Sequence, residues 1–136
     1  MMGTVVQLKI YGENSEKATE QSLKKISDIE NKMSVNIKTS ELTKLNAKAG
    51  ISGEKLSQDT YSVIEKAVSY SKLTEGALDV TMEPIVKLWG IGTDKERVPL
   101  KNEIQEKLKL VNYKDITPGL KDSFNLTDKE FTYEER

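Results

Sequence analysis

The sequence predicts an α/β (α+β) domain, a mixed sheet carrying two long packed helices. Three observations predict it. Apolar and polar residues alternate from Thr4 to Tyr11, the period of a strand. Apolar residues recur at helical spacing near Glu16–Met33 and again near Ser57–Glu75. Short strand-like segments then follow a third helical stretch, and strands interleaved with helices favour this class.

Along the Thr4–Tyr11 strand, Val6, Leu8 and Ile10 face one way and Val5, Gln7, Lys9 and Tyr11 the other, until Gly12 ends it. Asn14 and Ser15 offer an N-cap, and Leu23, Ile26, Ile29 and Met33 stripe the first long helix. Ser40 caps a short turn of helix that presents Leu42 and Leu45. Ser57 caps the second long helix, with Val63, Ile64, Ala67, Val68 and Ser71 as its apolar or small-residue stripe and Gly76 as its stop. A short extended piece, Ala77 to Thr81, leads to a short helix that Thr81 caps and Pro84 opens, with Ile85, Leu88 and Trp89 on one face. Pro99 opens a third helix bearing Ile104, Leu108 and Val111. Tyr113–Ile116, Ser123–Thr127 and Phe131–Tyr133 read as short strands.

Composition narrows the chemistry. With 21 basic and 22 acidic residues interspersed along 136 positions, no basic stripe marks a nucleic-acid surface. The chain has no Cys and no His, which excludes disulfides, thiolate nucleophiles, and imidazole bases or ligands. Acid–base work would fall to Asp, Glu, Lys, Tyr or water. No apolar run reaches the length of a membrane span. The start lacks a basic segment followed by an apolar one, so neither a signal peptide nor a lipoprotein Cys is expected, and the compartment is left unassigned.

The most informative segment is Leu73-Thr74-Glu75-Gly76-Ala77-Leu78-Asp79-Val80-Thr81-Met82-Glu83-Pro84. Gly76 permits a sharp turn after a helix, and Ala77 is small enough to let a flat ligand approach the main chain. Asp79 places a carboxylate just ahead of a helix start. Two readings of it stand side by side: an acceptor for ring N–H or hydroxyl groups of a ligand, or a local cap or turn. Trp89 reads as a core residue, and the charge-rich helical faces as solvated surface.

Met2-Gly3-Thr4, Ser40-Glu41-Leu42 with Leu45-Asn46, Thr74-Glu75-Gly76-Ala77-Leu78-Asp79-Val80-Thr81, and Pro84 with Leu88-Trp89-Gly90 occur in this order. Together they resemble the FAD:protein FMN transferases, the ApbE-like proteins, from Met2 to about Thr127. The resemblance implies an enzyme that cleaves FAD and attaches FMN through a phosphoester to a Thr or Ser of an acceptor protein. AMP leaves, and a divalent metal, usually Mg2+, assists. Some relatives instead hydrolyse FAD, and a flavin-binding or interaction module without catalysis is the other alternative.

By the same resemblance, Met2, Ala77, Leu78 and Asp79 are the flavin-binding residues, with Leu78 where the family more often has Phe. Catalytic residues are not assigned, and no metal ligand is assigned within this chain. The resemblance further implies that residues 1–136 are the N-terminal part of a single flavin transferase domain. The family's later metal-binding segments have no counterpart here, so the fragment alone is expected to be inactive.

Overall fold

A computed structural model describes residues 3–119 and the backbone of 123–126. It corrects the predicted class. The described residues are mostly helical, and they form no mixed sheet. Five α-helices come first in importance: α1 (Ser15–Met33), α2 (Glu41–Ala47), α3 (Gln58–Leu73), α4 (Glu83–Trp89) and α5 (Lys101–Leu108). The strands are short: β1 (Glu54–Lys55), β2 (Ile116–Pro118) and β3 (Ser123–Leu126). They pair antiparallel in the order β1-β3-β2, with Glu54 opposite Phe124 and Ile116 opposite Leu126. A 3-10 turn, Tyr113–Asp115, stands where a strand was expected, and only Ile116 of that stretch enters the sheet. Phe131–Tyr133 lies outside the described residues.

The expected Thr4–Tyr11 strand does not form; residues 5–11 have no regular secondary structure. Val5 is 83% exposed and Tyr11 88%. Alternation decides which side chains would share a face, but a strand also needs a neighbour to complete its backbone hydrogen bonds. That second requirement is invisible in a period of two.

The chain divides into two compact units, residues 1–44 and 45–136. In the first, Gly12 carbonyl accepts from the Ser15 amide as α1 begins, and Thr19 and Ser22 donate their hydroxyls back to the Ser15 and Ala18 carbonyls. Asn14 sits at the N-cap position without a side-chain cap bond. No residue of α1 is fully buried, and Leu23 is 38% exposed. The apolar stripe read along α1 therefore contributes no fully buried residue. Ser40, by contrast, caps α2 as read: its Oγ accepts from the Thr43 amide at 3.0 Å. The Thr43 hydroxyl in turn donates to the Ile37 carbonyl at 2.9 Å, so both buried hydroxyls are satisfied.

The second unit contains the apolar core: Leu45, Ala49, Leu56, Ile64, Val68, Leu110 and Ile116 are buried. Helix α3 turns Thr60, Ile64, Val68 and Ser71 inward, a stripe at spacings of four, four and three. Val63, expected in that stripe, is 54% exposed instead. The inward hydroxyls are satisfied locally, Ser71 donating to the Ala67 carbonyl and Thr60 meeting Ser57 Oγ at 3.3 Å. Their small size lets the end of α3 sit closely against the 3-10 turn. Helix α5 begins after Leu100 rather than at Pro99, and it packs against α4.

Two helices end in the same way with different residues. After α4, the Ile91 amide donates to the Val86 carbonyl and the Gly90 amide to Lys87, with Gly90 left-handed at φ 66. After α3, the Gly76 amide donates to the Ser71 carbonyl and the Glu75 amide to Lys72. Both pairs have the bond pattern of a Schellman ending. In α3 the left-handed position falls on Glu75, φ 53, one residue before the glycine expected to provide it. Gly76 follows at φ 87.

The pair of endings predicts opposite responses. A Cβ on Gly90 would lie 2.4 Å from the Lys95 carbonyl oxygen, so Gly90→Ala meets backbone as well as an unfavourable φ. It is expected to cost about 2 kcal/mol or more in denaturant melts. Glu75→Gly relieves a left-handed side chain at an exposed site and is expected to stabilise by about 1 kcal/mol in the same melts.

Arg97 and Glu103 form a two-bond pair at 2.6 and 2.9 Å, and Glu103 also accepts from the Leu100 amide at 2.8 Å. Bonding to Arg97, then to the Leu100 amide, lowers the Glu103 carboxyl from 4.5 to about 2. A lowered folded value means the contribution is present above 4.5 and disappears as pH falls through about 2. The Glu103 side chain is 31% accessible, solvent screens the pair, and its effect is small. Glu103→Gln is expected to flatten the pH dependence of stability between those limits, and an unchanged acid profile would show that the pair contributes nothing.

Candidate functional site

Thr74–Met82 links α3 to α4, and every candidate flavin-binding residue except Met2 lies there; Met2 is outside the described residues. The loop is built stepwise from the end of α3. Beyond the Gly76 bond, the Ala77 amide donates to the Thr74 carbonyl at 3.0 Å, and the Leu78 amide to Thr74 Oγ1 at 3.1 Å. These bonds fold the chain back, leaving Ala77 and Leu78 exposed, Leu78 at 48%. The expected extended piece is thus a succession of turns, because the Ala77, Leu78 and Thr81 amides each find an acceptor two to four residues back.

Asp79 is half-buried and is the centre of the loop's hydrogen bonding. Its Oδ1 accepts from the Thr81 amide at 2.8 Å and from the Thr81 hydroxyl at 2.6 Å. Its Oδ2 accepts from the Tyr113 amide at 2.9 Å. The Thr81 hydroxyl, buried, in turn accepts from the Asn112 amide at 2.8 Å. Thr81 is therefore not the cap of α4; Met82 holds that position, and Pro84 lies in the first turn as read. A carboxylate has about four acceptor positions. Three are filled by these donors, which among the described residues leaves one on Oδ2.

The local-turn reading of Asp79 holds for Thr81, and the long-range bond to Tyr113 goes beyond both sequence readings. Sequence reasoning missed Asn112 and Tyr113 because they act through main-chain amides, which any residue but proline carries. Tyr113 also uses its ring: a Cβ built on Gly76 would lie 3.5 Å from Tyr113 Cε1, so the ring covers the glycine. Asn112 fixes the 3-10 turn itself, accepting from the Lys114 amide and donating to Asp115 Oδ1 at 2.9 Å.

On the far side of the loop, Asn46 Nδ2 donates to Glu83 Oε2 at 3.2 Å, and Lys87 Nζ lies 3.0 Å from Glu83 Oε1. Asn46, singled out only as part of a motif, thus ties the end of α2 to the first residue of α4. Among the described residues, no three carboxylates gather in a way that could hold a metal ion. None of the described helices is long and apolar enough to cross a membrane.

Known proteins resemble this chain in sequence and in fold. An FAD:protein FMN transferase of Haemophilus influenzae is 34% identical over 124 residues, covering 85% of this chain and 36% of the relative. One from Vibrio cholerae is 32% identical over 94 residues, covering 68% of this chain and 28% of the relative. The chain therefore spans about a third of the length of these curated relatives. Among solved structures, the Vibrio cholerae flavin transferase ApbE aligns with a TM-score of 0.78 at 26% identity, over 93% of this chain and 41% of that one. The Thermotoga maritima ApbE protein aligns with a TM-score of 0.77 at 27% identity, over 87% and 39%. The model of the ApbE family matches residues 2–132, nearly every position, and the chain belongs to that family.

Proposed function

We propose that this chain forms the flavin-side wall of an FAD:protein FMN transferase, with Ala77, Leu78 and Asp79 against the flavin and Met2 packing on it. The overall reaction in this reading moves FMN from FAD to a Thr or Ser of an acceptor protein and releases AMP. Support comes from family membership and from the names of the relatives, which are FAD:protein FMN transferases. The observation that carries the reading is the remaining acceptor position on Asp79 Oδ2, beside the exposed Ala77 and Leu78. Three donors already hold the carboxylate in place, so an incoming N–H or hydroxyl meets an oriented, charged acceptor. Ala77 adds no bulk over the backbone, and Leu78 offers an apolar edge to a ring.

The residues of this chain orient the flavin and leave the phosphorus chemistry elsewhere. Mg2+ would supply charge neutralisation at the pyrophosphate, and among the described residues no three carboxylates gather to hold it. Consistent with that division, the 136 residues by themselves, given FAD, Mg2+ and an acceptor peptide, are expected to yield neither covalent FMN nor free AMP. Turnover of either kind, read by mass spectrometry and AMP release, would overturn the division. AMP and FMN without peptide labelling would favour the FAD-hydrolysing alternative.

Asp79 is expected to show two separable effects. Asp79→Ala deletes the acceptor for three donors and should cost about 2–3 kcal/mol in stability, read from denaturant melts. In the complete gene product, well below its melting temperature, the same change should weaken FAD binding by about tenfold to a hundredfold, the worth of one charge-assisted bond. Lost stability with unchanged FAD affinity would leave Asp79 a purely structural residue.

A further inference from the structure

We infer that Asn112 and Tyr113 are positioning residues for the Ala77–Asp79 loop, acting through their main-chain amides and the Tyr113 ring. The inference rests on the flavin reading of that loop. Its geometry does not depend on that reading.

Three contacts, made side by side, come from this one stretch. The Asn112 amide donates to Thr81 Oγ1 at 2.8 Å, and the Tyr113 amide donates to Asp79 Oδ2 at 2.9 Å. The Tyr113 ring covers Gly76, whose would-be Cβ lies 3.5 Å from Cε1. The loop is thereby held at its start, middle and end. Its own bonds run only between near neighbours, Ala77 to Thr74, Leu78 to Thr74 and Thr81 to Asp79. Bonds of that kind close turns but do not fix where the turns point. The reach of 34 residues from Tyr113 to Asp79 does fix it, by directing the second carboxylate oxygen.

The stretch is itself prepared for the task. Asn112 is extended, φ -160 and ψ 99, and its own amide and that of Tyr113 both find acceptors in the loop before the 3-10 turn proceeds. Its side chain accepts from the Lys114 amide and donates to Asp115, so the backbone that carries the donors is pinned from behind. The buried Ile116 continues directly into β2 and anchors the other end.

The test separates amide from ring. Tyr113→Pro removes the donor and the ring. It suits the first position of the turn, and extended Asn112 is the conformation preferred before proline. Tyr113→Ala removes the ring and keeps the amide; Tyr113→Phe keeps both. Hydrogen exchange in the 136-residue chain reads the loop. In Tyr113→Pro the Leu78 and Thr81 amides should exchange about tenfold faster, while α3 amides stay within about twofold. Tyr113→Ala should fall between, and Tyr113→Phe should match the parent. Unchanged loop exchange, or equal acceleration throughout α3, overturns the inference.

FAD affinity of the complete gene product provides the second readout. The expected result is weakening by about tenfold in Tyr113→Pro and recovery in Tyr113→Phe. A loosened loop with undiminished FAD affinity overturns the positioning role for flavin. If the parent protein binds no FAD, the flavin reading itself fails, and the exchange result alone decides whether the clamp exists.

Discussion

The loop after α3 keeps its shape because one carboxylate, Asp79, accepts from donors at two places in the chain, one beside it and one 34 residues on. Thr81 supplies two of them, two residues away, and Tyr113 supplies the third. A neutral side chain of similar size could not do this, since an amide group would turn a donor toward one of these donors. The charge also makes each bond stronger than a neutral one. Around this point the second unit is organised: α3 ends in front of it, α4 starts behind it, and the 3-10 turn closes over it.

The ends of the helices serve the same local geometry. The left-handed position after α3 falls on Glu75, and its cost is accepted where the chain must turn immediately into Gly76 and Ala77. The equivalent position after α4 is Gly90, where a side chain would strike the Lys95 backbone. The same bond pattern therefore tolerates Glu in open space and requires Gly where the returning chain passes close. Asn46 and Glu83 complete the frame, joining α2 to the start of α4 through a hydrogen bond supported by Lys87.

Much of the helical organisation was legible. The existence and approximate limits of α1 and α3 follow from apolar spacing, and Ser40 and Pro84 mark helix starts through known preferences. The order of the motifs, the one around Ala77–Asp79 among them, pointed to the right family. The sheet was misjudged. Thr4–Tyr11 has a strand's pattern without a strand's hydrogen bonds, and Tyr113 begins a turn rather than a strand because Asn112 offers its side chain to the next amide but one.

The sequence by itself determined what depends on neighbours a few residues apart: the helical spacing of α1 and α3, the Ser40 cap, Pro84 in the first turn of α4, and the absence of Cys and His chemistry. Only the tertiary structure decided which groups meet across longer separations. Asp79 needed an amide from Tyr113, Thr81 one from Asn112, and Glu83 a side chain from Asn46. Two of these donors are main-chain N–H groups, identical in nearly every residue, so no side-chain pattern can announce them. Which amide reaches which carboxylate is settled by where packing places the chain.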